Sequence, residues 1–170
     1  LGTHRWERIV EKQESREEST MPHSYVSCHI HYVFSTKERR PFITPDVKER
    51  LWAYMGGIAR DNGMKALEIG GTEDHAHVLL GLSSTIAIAK AIQLIKGGSS
   101  KWVSDTFPSH RDFEWQQGDG AFSISVAGID RTIAYIRAQE EHHRTKTFQE
   151  EFREFLEQHG IEYDDRYVWG

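Results

Sequence analysis

Apolar and polar positions divide this chain into alternating short and long segments. Residues 25–34 alternate well. Val26, Cys28, Ile30, Tyr32 and Phe34 fall on one face, and Ser27, His29 and His31 on the other. That period predicts a half-buried strand. A charged loop follows at residues 37–41. Thr44-Pro45-Asp46 then reads as a helix start, with Thr as the cap and Pro in the first turn. Val47, Leu51, Tyr54, Met55 and Ile58 mark one face of that helix, and Asn62-Gly63 stops it.

Residues 65–69 and 75–80 read as two short strands joined by a turn at Gly70-Gly71. A second helix is expected from a cap at Ser84 or Thr85. Its face is Ile88, Ile92 and Ile95, and it fades at Gly97-Gly98. Phe122, Ile124 and Val126 alternate with Ser123 and Ser125 in a fourth strand. Asp130 is read as the cap of a third helix running to about His143. Thr147-x-x-Glu150 is a capping box for a fourth, with Phe148, Phe152, Phe155 and Leu156 on one face and Gly160 at its end.

The predicted order is β-α-β-β-α-β followed by two helices. The first six elements are those of the ferredoxin-like split unit, an α+β fold with an antiparallel sheet and helices on one face. A C-terminal tyrosine-bearing helix and one further helix complete it. Many functions use this fold, so function has to come from the site.

Length changes this picture little: 170 residues suit one domain. Residues 1–21 are expected to be an N-terminal extension and 22–170 the single domain, because Met21-Pro22 resembles a natural start. No signal-peptide core is seen and no run suits a membrane span. One cysteine, Cys28, excludes an intrachain disulfide and suits a reducing cytoplasm. There are 21 Lys and Arg against 26 Asp and Glu, a net charge of −5. This argues against a uniformly basic duplex binder, while local patches still allow nucleic acid. Ten histidines are a surplus that asks for an explanation.

Two histidine pairs lie on predicted strands, His29-x-His31 and His75-x-His77. Period two puts both rings of a pair on one face, where they can share a divalent metal. The second pair has the better setting. Ala76, Val78 and Leu80 give that strand its core face, so His75 and His77 emerge on a rigid central element. The first pair reads as a surface feature or as support for the second. In the third helix Tyr135, Gln139, His142 and His143 share a face. Tyrosine is a weak nucleophile at its ordinary pKa of about 10, but a nearby cation favours the phenolate and polarises a phosphodiester.

These residues resemble the HUH-superfamily single-tyrosine transposases of small bacterial insertion sequences, the TnpA type, with their REP-associated tyrosine transposase relatives. The likeness runs from about Pro22 to Trp169. It rests on ordered blocks: Phe34-Ser35-Thr36-Lys37 with Arg40-Pro41; Asp74-His75-Ala76-His77; Lys96-Gly97-Gly98-Ser99-Ser100-Lys101-Trp102; Trp115-Gln116 through Ser125; Tyr135 through His143; and a close of Glu150-Glu151-Phe152 through His159-Gly160-Ile161 and Tyr167-Val168-Trp169. The resemblance implies Tyr135 as catalytic nucleophile, with His75, His77 and Gln139 holding Mg²⁺ or Mn²⁺. It implies cleavage and rejoining of single-stranded DNA bearing hairpins, through a 5′-phosphotyrosine, by a cytoplasmic homodimer of bacterial or archaeal origin. Asp119, where relatives would carry an aromatic residue, and the N-terminal extension depart from the pattern.

Candidate DNA contacts are Lys37, Arg40, Lys96, Ser99, Lys101, Arg137, His142 and Arg144. Trp102 and Trp115 suit either base stacking or the core. No GxxxxGK[ST] phosphate loop occurs, and no nucleotide cofactor is expected. Two alternatives stay open: a host-adopted HUH nuclease acting on hairpin repeats, and a non-enzymatic ferredoxin-like DNA-binding protein.

Overall fold

The structure, a computed structural model, describes residues 25–169. The expected extension at residues 1–21 lies outside the described residues. Four strands form one antiparallel sheet: β1 Cys28–Ser35, β2 Lys65–Gly71, β3 His75–Leu82 and β4 Gly120–Ile124. Their spatial order is β2-β3-β1-β4, the order a split βαβ unit requires when both crossovers share a hand.

Among the described residues, five α-helices pack on the sheet. They are α1 Pro45–Asp61, α2 Ile88–Thr106, α3 Ile129–Arg137, α4 Gln139–His142 and α5 Phe148–Gln158. Helices α1 and α2 cover one face. Val47, Leu51 and Met55 of α1, with Ala91, Ile92 and Ile95 of α2, pack on Ile30, Tyr32, Phe34, Ala76, Val78 and Leu80. Burying each large apolar side chain of that layer contributes about 1.5–3 kcal/mol before entropy is counted. The second face is smaller. Val33 and Phe122 of the sheet pack against Phe148, Phe152 and Leu156 of α5. The fold is therefore α+β, with helix layers on both sides of the sheet.

Several boundaries differ from the sequence reading. Strand β1 begins at Cys28, three residues later than expected, because Tyr25 and Val26 have nothing to pack on and are exposed. Helix α2 starts at Ile88 and runs through Gly97-Gly98 to Thr106. Gly98 is a contact point, not a stop: a Cβ there would lie 2.8 Å from Ile58 Cδ1 of α1, so the missing side chain lets the two helices approach. The fourth strand ends at Ile124. Val126 opens a 3₁₀ turn to Gly128 and is exposed. The helix expected from Asp130 to His143 starts at Ile129 and breaks at Ala138, which has φ −90° and ψ 11°. The capping box of α5 is present as read. The Glu150 amide donates to Thr147 Oγ1 at 3.3 Å, and the Thr147 amide donates to Glu150 Oε2 at 2.8 Å.

Candidate active site

Strand alternation places the site. With Ala76, Val78 and Leu80 committed to the α1–α2 face, His75 and His77 must point the other way, toward α3, α4 and α5. Register then sets His31 of β1 near His77, since β1 and β3 pair His31 with Leu79 and Val33 with His77. His31, His75 and His77 are all buried, and so is Gln139 at the start of α4. The tyrosine helix reaches them by close approach at Gly70 of β2. A Cβ there would lie 2.9 Å from Ile136 Cγ2, so Gly70 lets α3 settle onto the sheet edge with Tyr135 directed inward.

Each ring has a defined partner. His75 Nδ1 lies 2.8 Å from Asp74 Oδ1, 2.9 Å from Thr72 Oγ1 and 3.2 Å from His143 Nε2. Donation from Nδ1–H to the carboxylate leaves the His75 Nε2 lone pair free for a ligand. In the other tautomer, without a ligand, Nε2–H donates to Gln139 Oε1 at 3.0 Å. His77 Nδ1 meets His31 Nε2 at 2.9 Å, and the two rings stack. With His77 donating, its Nε2 is also free, and this atom is buried with no hydrogen-bond partner.

The half-buried Tyr135 ring packs edge-on against His77 at 5.8 Å between centroids, and His142 stacks on its outer side at 5.0 Å. The tyrosine hydroxyl donates to Glu151 Oε1 of α5. Gln139 Nε2 donates to the same oxygen at 3.0 Å. Thus Tyr135, Gln139, His75 and His77 meet in one place, although α3 and α4 are separate helices.

The surroundings disfavour the charged form of His31, His77 and His143. Burial, then the neighbouring His77 and His159, hold His31 well below the ordinary histidine range. Burial, with His75 and His143 close by, does the same for His77. His143 is lowered chiefly by burial. Burial opposes ionisation of Asp74, yet hydrogen bonds from His75 and Thr72 hold its carboxyl below the usual range. Burial pushes the Glu151 carboxyl up to about 7. Neutral imidazoles beside a carboxylate and an amide oxygen are what a divalent cation needs from its ligands.

The basic candidates lie elsewhere, each beside an acid. Lys37 pairs with Glu114, Arg40 with Asp112 at 2.9 Å, Lys101 with Asp105 at 2.6 Å, Arg137 with Glu68 at 2.8 Å and Arg144 with Glu141 at 3.3 Å. Lys96 is turned into the fold and donates to the carbonyls of Gln117 and Gly118 and to Asp119. Ser99 is fully buried. Its hydroxyl donates to the Ile95 carbonyl at 2.6 Å and accepts from Trp115 Nε1 at 2.9 Å, so it faces the core and not a surface. Trp115 is buried with it, and Trp102 stacks on Tyr54 at 4.6 Å. Apart from Lys96, pairing with these acids leaves the basic side chains exposed to solvent.

Glu151 escaped the sequence reading, whereas His31, buried against His77, takes the supporting place that was one of the two readings of the first pair. The signal for Glu151 was present: it stands three residues after Phe148 and four before Phe155, inside the apolar stripe of its helix. An acid there has to find a buried partner.

Comparison with known proteins places the chain in the transposase class of DNA-processing proteins. The family model described as "Transposase IS200 like" matches residues 24–139, and the chain belongs to that family. No curated protein matches the sequence. Among solved structures the chain is similar in fold to a protein of Deinococcus radiodurans R1 described as a candidate transposase. That pair is 22% identical with a TM-score of 0.58, covering 71% of this chain and 97% of the other. It is also similar in fold to a REP-associated tyrosine transposase bound to a REP hairpin, 13% identical with a TM-score of 0.54, covering 72% and 73%. No described helix is long and apolar enough to cross a membrane.

Proposed function

We propose that this protein cleaves and rejoins single-stranded DNA at insertion-sequence ends, with Tyr135 as the nucleophile and His75, His77 and Gln139 as ligands of Mg²⁺ or Mn²⁺. The observation that carries this reading is the meeting of a tyrosine hydroxyl with two buried imidazoles and an amide, one imidazole nitrogen being left without a partner. An orphaned buried nitrogen is costly unless a ligand takes it, so the residues fit a cation. When bound, such an ion supplies positive charge to the phosphoryl group and to the leaving oxygen.

The chain's own residues perform the rest. Tyr135 Oη attacks phosphorus, forming a 5′-phosphotyrosine as the bond to the 3′ oxygen breaks. The phenol proton is balanced by the one gained on the freed 3′-hydroxyl. Attack of a 3′-hydroxyl on a phosphotyrosine reverses the step and joins strands. One phosphodiester is exchanged for another, so no nucleotide hydrolysis is needed. Asp74 and His31 hold the two imidazoles in the tautomers that leave each Nε2 free. Tyr135 lies against His77 of its own chain, which supports a site drawn from one subunit of a homodimer.

Likeness to a hairpin-bound neighbour supports hairpin DNA as the partner. Lys37, Arg40, Lys101, Arg137 and Arg144 are exposed and break weak surface ion pairs to reach phosphates. His142 adds a contact on the outer face of Tyr135. The test is incubation with Mg²⁺ and labelled single-stranded DNA carrying the hairpins that flank the gene. Wild type is expected to form an adduct resistant to denaturant. Tyr135→Phe should form none while binding the hairpin with unchanged affinity. Equal adduct from both proteins would overturn the assignment.

A further inference from the structure

We propose that Glu151 of α5 bridges the ion and the nucleophile: its Oε2 joins His75 and His77 in holding the divalent cation, while its Oε1 fixes the Tyr135 hydroxyl beside it. This deepens the metal-assisted reading above and rests on it. The resemblance that implied roles for Tyr135, His75, His77 and Gln139 takes in Glu151 only as part of a matching block and implies no role for it.

Two buried polar side-chain atoms among the described residues have no hydrogen-bond partner, and they face each other. They are His77 Nε2 and Glu151 Oε2, 3.6 Å apart. His75 Nε2 lies 3.7 Å from the same carboxylate oxygen. Both separations are too long for a hydrogen bond. A proton shared between the pair therefore leaves the gap open, whereas a cation satisfies lone pairs converging from three sides. The ligand atoms of His75, His77 and Glu151 all lie within 4.8 Å of one another. The neighbouring group of Asp74, His75 and His143 is equally compact, but its atoms already hydrogen-bond among themselves. That group orients; the Glu151 group is the one with lone pairs to spare.

The other carboxylate oxygen is fully used. Glu151 Oε1 accepts from both Tyr135 Oη and Gln139 Nε2. One side chain therefore ties the nucleophile to the amide and, through Oε2, to both histidines. A carboxylate added to imidazoles also moves the ligand set toward the harder ions Mg²⁺ and Mn²⁺. Helix α5 is held where this works by its capping box and by Phe148, Phe152 and Leu156 against Val33 and Phe122.

The experiment is a Mn²⁺ titration of the DNA-free protein, followed by loss of the free-ion electron spin resonance signal. Glu151→Gln keeps the hydrogen-bond acceptor for Tyr135 and removes the charge. It is expected to weaken Mn²⁺ binding by at least about tenfold, with Glu151→Asp regaining part of the loss. Glu154→Gln, at a half-buried neighbour paired with Lys146, should bind as wild type does. Pulsed spectra of wild-type protein with ¹³C-carboxyl glutamate should show a carboxylate carbon coupled to the bound ion, independently of any variant's folding. Wild-type affinity in Glu151→Gln together with no carbon coupling overturns the proposal, while His75→Ala still losing the ion keeps the metal reading intact. Failure of wild type itself to bind Mn²⁺ overturns both.

Discussion

The two faces of the sheet are cut from the same strands yet obey opposite rules. On the α1–α2 side, Ile30, Tyr32, Phe34, Ala76, Val78 and Leu80 make a dry layer, with the one polar tip among them, Tyr32 Oη, donating to the Ile88 carbonyl at 2.9 Å. On the α3–α5 side, the intervening His31, Ser35, His75 and His77 are as deeply buried, but two polar atoms there lack partners. The first face contributes stability. The second gives some of it up to keep a cluster of lone pairs aimed at one point. Alternation along β1 and β3 lets a single rigid element serve both ends, so the candidate site inherits its positions from the core behind it.

The largest expected separation comes from His77→Ala, which should lower cleavage at least about a thousandfold while leaving a single cooperative melt in the metal-free protein. Leu80→Ala, on the same strand and pointing the other way, should cost about 2–5 kcal/mol of stability and leave Mn²⁺ affinity per folded molecule unchanged. Thermal denaturation and metal titration on both variants would break the comparison if the two effects were exchanged.

Acid sharpens it further. His31, His77 and His143 are held below the ordinary value of 6.5 in the folded protein. Below that pH the unfolded chain binds protons that the folded chain does not, so metal-free stability should fall as pH drops from about 6.5. Glu151 acts in the opposite sense, taking a proton in the folded state below about 7, and offsets about one of the three. His31→Gln, which keeps an acceptor for His77, should reduce the acid slope by about 1.4 kcal/mol per pH unit. Leu80→Ala should shift the whole curve without changing that slope. Chemical denaturation across pH 4.5–7.5 checks both. The smallest effect belongs to Thr147→Ala, which removes the α5 cap and should cost about 1 kcal/mol, read as a shift in the denaturation midpoint.

Much of this was legible in the chain itself. Period two in β1 and β3 assigned each residue to its face, and the strand-helix order gave the sheet its topology. Spacing and resemblance single out Tyr135, Gln139, His75 and His77, and the fold brings them together. What stayed hidden depends on contacts between distant segments. Gly97-Gly98 reads as a helix end unless one knows that Ile58 needs the space. The break at Ala138 has no glycine or proline to announce it. Ser99 sits in a polar run beside two lysines, and only the position of Trp115 explains why its hydroxyl turns inward. Glu151 lies 12 residues beyond Gln139 on another helix, and one-dimensional periodicity marks it only as an intruder in an apolar stripe.

The central claim is that Tyr135 carries the DNA, and end-labelled substrate with peptide mapping tests it most directly. After reaction with Mg²⁺ and denaturation, the 3′-labelled fragment should stay with the protein and the 5′-labelled fragment should leave with a free 3′-hydroxyl. Mass spectrometry should place the linkage on the peptide containing Tyr135. Retention of the 5′-labelled fragment, or a linkage on any other residue, would contradict it.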